Sequence, residues 1–246
     1  MPEGITAIAR QLILGSRKLA QALSCLSFAE PVTHVYNPLL YARQPHEAYL
    51  ARFGGNRKRV VFLGMNPGPF GMVQTGIPFG EIAAVKNWLK VEAPVQKPEN
   101  EHPRRLVTGF ACNRSEVSGR RLWGLFAKRF GRAESFFEDH LVLNYCPLAF
   151  MEESGKNRTP DKLHPEEREQ VYALCEDYLR DAIGALTPEW IIGVGDFAAT
   201  RAREAVPQQR VGRILHPSPA SPAANRDWAG IATLQLCELG VWKQAP

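Results

Sequence analysis

Four short apolar runs, separated by longer stretches of helical periodicity, constrain the fold of this chain more than any other feature. Each run has the length and the β-branched or aromatic content of a buried strand: RVVFL 59–63, LVLNY 141–145, WIIGV 190–194 and VGRIL 211–215. Helical patterns accompany them at 5–28, 40–52, 118–130, 165–184 and 196–205. This alternation predicts an α/β fold in which helices cover both faces of a parallel sheet.

The length of the chain and its first thirty residues indicate one domain with a helical start. We expect a single domain over residues 1–246, although two small domains would also fit this length. Residues 1–30 are predicted to form an amphipathic helical segment, because their apolar side chains recur at roughly helical spacing: Ile5, Ile8, Leu12, Leu19 and Leu23.

The same segment bears on where the protein acts. Basic residues interrupt its apolar stretch, which is unlike a secretory signal. No apolar run in the chain approaches the ~20 residues that are needed to cross a bilayer. We therefore expect a protein that is neither secreted nor membrane-bound, and that is cytoplasmic if it is bacterial or nuclear if it is eukaryotic.

The cysteines argue against a metal centre. Five of them lie scattered along the sequence without a CxxC pair: Cys25, Cys112, Cys146, Cys175 and Cys237. This spacing supports neither a zinc site nor an iron–sulfur cluster, and the odd number suits a reducing compartment. We predict that the protein uses no metal and no cofactor.

Positive charge is concentrated in residues 103–132. This segment holds seven arginines and one lysine against a single carboxylate, Glu116, so its net charge of +7 exceeds the +5 of the whole chain. A charge run is often only a solvated helix face. The excess of arginine nevertheless favours contact with nucleic acid, because arginine forks suit phosphate oxygens. Arg120 and Arg121 are the candidate contacts.

Three loops that follow the strand-like runs are expected to meet at the carboxyl edge of the sheet, where α/β proteins place their sites. They read GMNPGPFGM 64–72, NYCPLAF 144–150 and HPSPASPAANR 216–226. Each contributes one polar candidate: Asn66, Asn144 and His216. An amide offers donors and an acceptor that match the edge of a pyrimidine, and histidine can donate a hydrogen bond to developing negative charge.

The loop GMNPGPFGM carries more conformational constraint than the exit of a strand requires. Pro67 and Pro69 fix their own φ, whereas the glycines allow a ligand to approach the backbone closely. The loop lacks the lysine and the hydroxyl residue of a phosphate-binding loop. A simple turn, in which Asn66 bonds its own backbone, is one interpretation. A rigid wall that holds Asn66 beside a flat ligand is the other, and the proline-stiffened loop after His216 favours it.

Four long stretches in this order resemble a known family: GMNPGPFGMVQTGIPFGE, NRSEVSGRRLWG, LNYCPLAF and HPSPASPAANRDW. They are similar to the single-strand-selective monofunctional uracil-DNA glycosylases, a branch of the uracil-DNA glycosylase superfamily. The similarity also includes NPLLYARQPHEAYLARF at 37–53, and it extends from about residue 35 to residue 242. It implies a three-layer sandwich in which helices flank a central parallel four-stranded sheet.

The resemblance also implies an activity. Members of this family flip uracil or 5-hydroxymethyluracil out of DNA and hydrolyse the N-glycosidic bond, which leaves an abasic site for base excision repair. By this resemblance Asn66 orients the attacking water, and His216 bonds O2 of the departing base. The motif loops contain no lysine that could form a Schiff base, so the resemblance implies a monofunctional enzyme.

Further residues receive roles through the same resemblance. The base would be held by contacts with the loop backbone, by stacking and by an amide that reads its N3 and O4 edge: Gly64, Met65, Gly68, Phe79 and Asn144. Gly68 stands where some relatives carry a bulky aromatic residue, and it leaves room beside C5 of the base. The segment that follows His216 would wedge into the duplex and contact DNA: Pro217, Ser218, Pro219, Ala220, Ser221 and Arg226.

The wedge differs from that of some relatives, which carry an arginine near its tip where this chain has Ala220 and Ser221. This difference leaves the preference among duplex substrates open. The expected partner is uracil-containing DNA, single-stranded and double-stranded, bound by a monomer that does not engage a membrane.

Two other interpretations remain open at this point, and a third is disfavoured. A glycosylase of the same fold could prefer hypoxanthine or xanthine, and a catalytically silent module could bind nucleic acid through residues 103–132. The stretch GVGDFA 193–198 formally fits a dinucleotide-binding pattern, but no carboxylate follows at Arg213–His216, where that fingerprint needs one. A tight strand-to-helix turn with Asp196 as a helix cap is the favoured interpretation of that stretch.

Overall fold

A computed structural model describes residues 4–243, and two sheets organise it. The strands of these residues are β1 His34–Tyr36, β2 Val60–Gly64, β3 His140–Asn144, β4 Ala149–Met151, β5 Asn157–Arg158, β6 Trp190–Val194 and β7 Arg210–Ile214. The central sheet is parallel and four-stranded, in the order β3-β2-β6-β7. It confirms the predicted α/β class, and each of its strands begins within one residue of the position that the sequence predicts.

Helices of the described residues surround this sheet. They are α1 Ala7–Ser24, α2 Pro38–Tyr41, α3 Arg43–Phe53, α4 Met72–Thr75, α5 Ile82–Ala84, α6 Val117–Phe130, α7 Ala133–Phe137, α8 Pro165–Leu186, α9 Asp196–Ala205 and α10 Pro222–Glu238. A π-helical turn, Val85–Leu89, follows α5, and short 3₁₀ turns occupy Gly109–Ala111 and Pro160–Lys162.

The segment predicted over residues 1–30 corresponds to α1. This helix begins after Thr6, whose hydroxyl oxygen accepts a hydrogen bond from the Ala9 amide at 3.3 Å. It packs on α8 and α3, burying Leu12 and Leu19. Residues 1–3 lie outside the described part of the chain, and the expectation of one domain stays a prediction.

The two faces of the central sheet are covered by different helices. On one face α9 packs so closely on β6 that the Ala199 backbone lies against Gly193. The other face is aromatic: Phe62 of β2 stacks on Phe136 of α7 and contacts Phe126 of α6. Burial of this aromatic surface contributes a large share of the hydrophobic stabilisation of the core.

A second, antiparallel sheet pairs β1 with β4 and β4 with β5. This sheet is not predicted from the sequence, because strands of two or three residues are too short to show alternation. Its position matters for the site: the Asn157 side-chain amide of β5 donates to the Pro67 carbonyl at 3.3 Å, which ties this sheet to the loop after β2.

The stretch GVGDFA 193–198 forms the predicted strand-to-helix turn, although Gly195 is the cap residue and Asp196 begins α9.

Two glycine-to-alanine substitutions test the packing of α9 on the sheet. Gly193→Ala should lower the free energy of unfolding by roughly 1–3 kcal/mol, because its methyl group would collide with the Ala199 backbone. Gly184→Ala is the matched control, since its methyl group would meet open space on α8. It should raise the same free energy by ~0.5–1 kcal/mol. Urea unfolding measures both, and equal effects would contradict the packing described here.

Candidate active site

The central sheet sets three polar loops around one cavity. Because β2 and β3 pair in register, Gly64 lies directly beside Asn144 at their carboxyl ends. The polypeptide leaves β7 at the same edge and reaches His216 two residues later. Between these loops lies a cavity of about 570 Å³, and its lining includes Asn66, Asn144 and His216. The structure thus brings together the three polar residues that the sequence singles out.

The loop that carries Asn66 is fixed by backbone hydrogen bonds to the chain after β3. The Tyr145 amide donates to the Gly64 carbonyl and the Cys146 amide to the Met65 carbonyl, both at 2.9 Å. The Asn66 side chain donates from Nδ2 to the Leu148 carbonyl at 3.2 Å. Its amide is therefore anchored by the nitrogen, and its Oδ1 atom is the end that can accept a hydrogen bond from a water or a ligand.

Asn144 presents an acceptor that lacks a partner. Its Nδ2 donates to the Met72 sulfur at 3.2 Å, while its Oδ1 is buried and makes no hydrogen bond in the described structure. A methyl group on Gly64 would collide with this Oδ1 atom, so the oxygen lies directly over the bare backbone of β2. A buried acceptor left unpaired is costly, and a ligand that donates to it recovers that cost.

Phe79 is held in an unusual backbone conformation beside the same glycine. Its φ is 52°, in the left-handed region that bulky residues avoid. Two donors bind its carbonyl: the Trp123 indole at 3.0 Å and the Glu81 amide at 2.7 Å. The ring packs against Gly64 and is 7% exposed, so it offers the cavity a rigid apolar face. Strain of this kind is typical of functional sites.

His216 lies across the cavity from these groups. Its ring centroid is 6.2 Å from that of Phe79, and its Cβ packs on Gly195, whose φ is 94°. The GVGDFA turn therefore makes room for the histidine. Burial lowers the pKa of the His216 imidazole below its usual 6.5, because the charged form loses solvation. The imidazole is therefore mainly neutral at pH 7 and can donate one hydrogen bond.

The segment after His216 forms an exposed tip on a braced base. Ser218 and Pro219 line the cavity mouth, and Ala220 is exposed. The Ser221 hydroxyl oxygen accepts a hydrogen bond from the Ala224 amide at 3.3 Å and so caps α10. Pro217 is buried, outside the cavity lining.

Arg121 holds this loop in place. Its guanidinium group donates to the Pro217 and Ser218 carbonyls at 3.1 and 3.3 Å, and to Oδ1 of Asn225 at 2.8 Å. Its neighbour Arg120 is exposed, as is Arg226. Of the three arginines that the sequence nominates for DNA contact, Arg121 braces the loop after His216, whereas Arg120 and Arg226 present their charge to solvent.

Several residues that line the cavity are not predicted as site residues from the sequence. Arg114 stacks on the Phe70 ring, with its guanidinium carbon 3.9 Å from the ring centroid, and adds a cation at the mouth. Asn157 reaches the cavity from β5, and nothing in its sequence neighbourhood marks it. Glu116 also lines the cavity, and burial raises the pKa of its carboxyl group to about 7. Glu116 stands out in the sequence only as the single acidic residue of the basic segment 103–132.

Within residues 4–243 no three His, Cys, Asp or Glu side chains come together in a group that could hold a metal ion. Over the same residues, none of the helices has the length and apolar character that spanning a membrane requires.

The chain is similar to proteins of one superfamily. A family model described as the uracil DNA glycosylase superfamily matches residues 51–235. Three relatives named single-strand selective monofunctional uracil DNA glycosylase, from Bos taurus, Mus musculus and Rattus norvegicus, are each 46% identical over 228 residues. These matches cover 91% of this chain, 84% of the bovine protein and 82% of each rodent protein.

A solved structure is also similar in fold. The crystal structure of wild-type Pedobacter heparinus SMUG2 matches with a TM-score of 0.64, over 93% of this chain and 99% of that one. The two sequences are 19% identical, so the match supports the fold alone.

The burial of His216 has a measurable consequence. Its imidazole should titrate below pH 6.5, because burial disfavours the cation and the pKa is lowered. Proton NMR of the histidine ring signals against pH measures the midpoint, and the His216→Asn variant assigns the signal. A midpoint above 6.5 would show that an acidic neighbour, rather than burial, dominates the environment of this side chain.

Proposed function

We propose that this chain, which belongs to the uracil DNA glycosylase superfamily and within it to the single-strand selective monofunctional uracil-DNA glycosylases, removes uracil from DNA. The reaction is hydrolysis of the bond between the base and deoxyribose, and it leaves an abasic site for repair. One observation carries the proposal: Asn144, whose buried Oδ1 lacks a partner, lines the same cavity as Phe79, which offers a stacking surface. Family membership confirms the resemblance seen in the sequence.

The substrate must leave the DNA stack before it enters this cavity. The bond to be broken is inaccessible inside a helix, so the nucleotide is extruded at a cost of a few kcal/mol. Arg114 at the mouth and the exposed Arg120 supply positive charge for the flanking phosphates. The rigid tip at Pro219 and Ala220 would occupy the space that the base has left.

Asn144 accounts for selection of uracil over cytosine. Uracil carries a donor at N3 and an acceptor at O4, which match the Asn144 Oδ1 and its second amide hydrogen. Cytosine reverses both groups, so its N3 acceptor would face Oδ1 and both would be unpaired. A site built around such a hydrogen bond discriminates strongly, because the mismatched base leaves buried polar groups without partners.

His216 and Asn66 divide the chemical work. As the glycosidic bond breaks, negative charge develops on the base, and a neutral His216 that donates to O2 stabilises it. The sugar develops positive charge, so the attacking water needs orientation more than deprotonation. The Oδ1 atom of Asn66 supplies that orientation, since its Nδ2 is already bound to the Leu148 carbonyl. An amide does not accept a proton near pH 7, so Asn66 does not act as a general base.

The nucleophile in this proposal is water. Among the described residues that line the cavity, the titratable side chains are arginine, glutamate and histidine, and no lysine is present to form a Schiff base with the sugar. A glycosylase without such an amine releases the base and leaves the DNA strand intact.

The family acts on DNA, and we propose that this chain accepts single-stranded and duplex substrates as a monomer. The small side chains of Ala220 and Ser221 give the wedge a short reach into a duplex. Extrusion from a single strand does not require a base pair to be broken, so this wedge suits single strands well. We propose that the protein works in the cytoplasm of a bacterium or in the nucleus of a eukaryote.

Substitution of the two catalytic candidates tests the proposal. Asn66→Ala and His216→Ala should each slow uracil release by about 10²–10³-fold, because each removes an interaction made mainly in the transition state. Binding of uracil-containing DNA should stay within about twofold of wild type, since the basic surface is unchanged. Single-turnover assays on a labelled oligonucleotide measure release, and fluorescence anisotropy measures binding. Wild-type rates in either variant would remove that residue from the mechanism.

The neighbouring arginines provide a matched pair for DNA contact. Arg120→Ala should weaken binding to all DNA and reduce the salt dependence of the binding constant by about one unit of slope. Arg121→Ala should instead slow base release from duplex DNA more than from single strands, because its guanidinium group braces the wedge. Salt titrations and release assays on both substrates distinguish the two effects. An unchanged salt slope in Arg120→Ala would exclude that residue as a phosphate contact.

A further inference from the structure

We propose that Glu116 is a specificity-determining residue of this pocket, whose carboxyl group accepts a hydrogen bond from a donor carried on C5 of the base, as in 5-hydroxymethyluracil. This inference rests on the proposed function, because it concerns which bases the same pocket selects.

The position of the carboxyl group is the first argument. Glu116 precedes α6 and is itself half-buried, but its carboxyl end is sealed against the loop after β2. A methyl group on Gly68 would lie 2.5 Å from Oε2, and one on Gly71 would be closer still. The carboxyl group therefore fills the space that these two glycines leave open. Its Oε2 is buried and has no hydrogen-bond partner among the described residues.

The orientation of the base is the second argument. A uracil stacked on Phe79, with its N3 and O4 edge at Asn144 and O2 toward His216, has only its C5–C6 edge left. That edge faces the remaining wall of the cavity, which the loop after Asn66 and the start of α6 form. Gly68 has no side chain, and the Ser115 and Ser118 hydroxyl groups of this wall already donate to Glu81 and to the Pro217 carbonyl. The Glu116 carboxyl group is therefore the acceptor without a partner that a substituent on C5 can meet there.

Chemical complementarity is the third argument. The C5 hydrogen of uracil and the C5 methyl group of thymine cannot donate a useful hydrogen bond to a carboxyl oxygen. A hydroxymethyl group can, and it is only one oxygen atom larger than the methyl group. A buried acceptor without a partner disfavours a base with an apolar substituent on C5 and favours a base with a hydroxyl group there. Glu116 thus separates two bases that differ little in size.

The charge state of Glu116 gives this role a pH signature. Burial, and secondly the nearby Glu81 carboxylate, raise its pKa to about 7. The other charged or titratable groups around it are Arg114 at the cavity mouth and His216, whose pKa is lowered by burial. As pH rises through 7, Glu116 ionises and becomes a stronger acceptor for the hydroxyl group. The ionised carboxylate is also less favourable beside the C5 hydrogen of uracil, because that hydrogen gives the buried charge no hydrogen-bond partner.

The test is the ratio of single-turnover release rates for 5-hydroxymethyluracil and uracil, each placed in the same single-stranded oligonucleotide. In the wild type this ratio should rise about tenfold between pH 6 and pH 8. Titration of His216 acts on both substrates and therefore cancels in the ratio. A wild-type enzyme that releases uracil with a flat ratio would overturn the inference while leaving the proposed function intact.

Two variants locate the effect. In Glu116→Gln the ratio should lose its pH dependence and fall about tenfold below the wild-type value at pH 8, because the amide does not ionise. In Glu81→Gln the rise should persist with its midpoint moved to lower pH, since removal of a neighbouring negative charge lowers the pKa of Glu116. Thermal melting checks that both variants fold. If the ratio still depends on pH in Glu116→Gln, the effect belongs to another group and the inference is wrong. The pH profile of the wild-type enzyme tests the inference even if a variant fails to fold.

Discussion

The in-register pairing of β2 with β3 is the contact on which the pocket depends, because it sets Gly64 beside Asn144. Only a bare backbone fits there, since a methyl group on Gly64 would strike both the Asn144 oxygen and the Phe79 ring. A shift of one residue would turn the Asn144 side chain to the opposite face of the sheet. The buried strands β2 and β3, of which only Asn144 at the end of β3 is partly exposed, thus provide the precision that the recognition of a base edge requires.

Several features of the pocket are energetically unfavourable in the free protein, and the stability of the rest of the fold must offset them. Phe79 adopts a left-handed backbone, and the buried Asn144 and Glu116 oxygens lack partners. Each such feature costs on the order of 1–3 kcal/mol in the absence of a ligand. The aromatic packing around Phe62 and the helix layers supply the compensating stability. In the function proposed here, a bound uracil would satisfy the Asn144 oxygen, whereas the Glu116 oxygen would gain a partner only from a donor carried on C5 of the base.

Sequence patterns predicted the central sheet and three of the polar groups, because buried parallel strands have strong apolar runs and their carboxyl ends share one edge. They did not reveal Asn157, which reaches the site through a strand of two residues. Glu116 was visible only as the lone acid in a basic segment, since its importance depends on the glycines that pack on its carboxyl group. The distinction between Arg120 and Arg121 likewise depends on tertiary contacts with the loop after His216.

We propose that the turn of glycines and prolines after β2 holds Asn66, and that the pairing of β2 with β3 holds Asn144, beside a flipped uracil. The most direct measurement is strand cleavage of an end-labelled, single-stranded oligonucleotide with one uracil, incubated with the wild-type protein and analysed before and after hot alkali. We expect cleavage at the uracil after alkali, none before it, and none when cytosine replaces the uracil. Intact DNA after alkali would show that the pocket does not release uracil, and cleavage without alkali would show that the enzyme is not monofunctional.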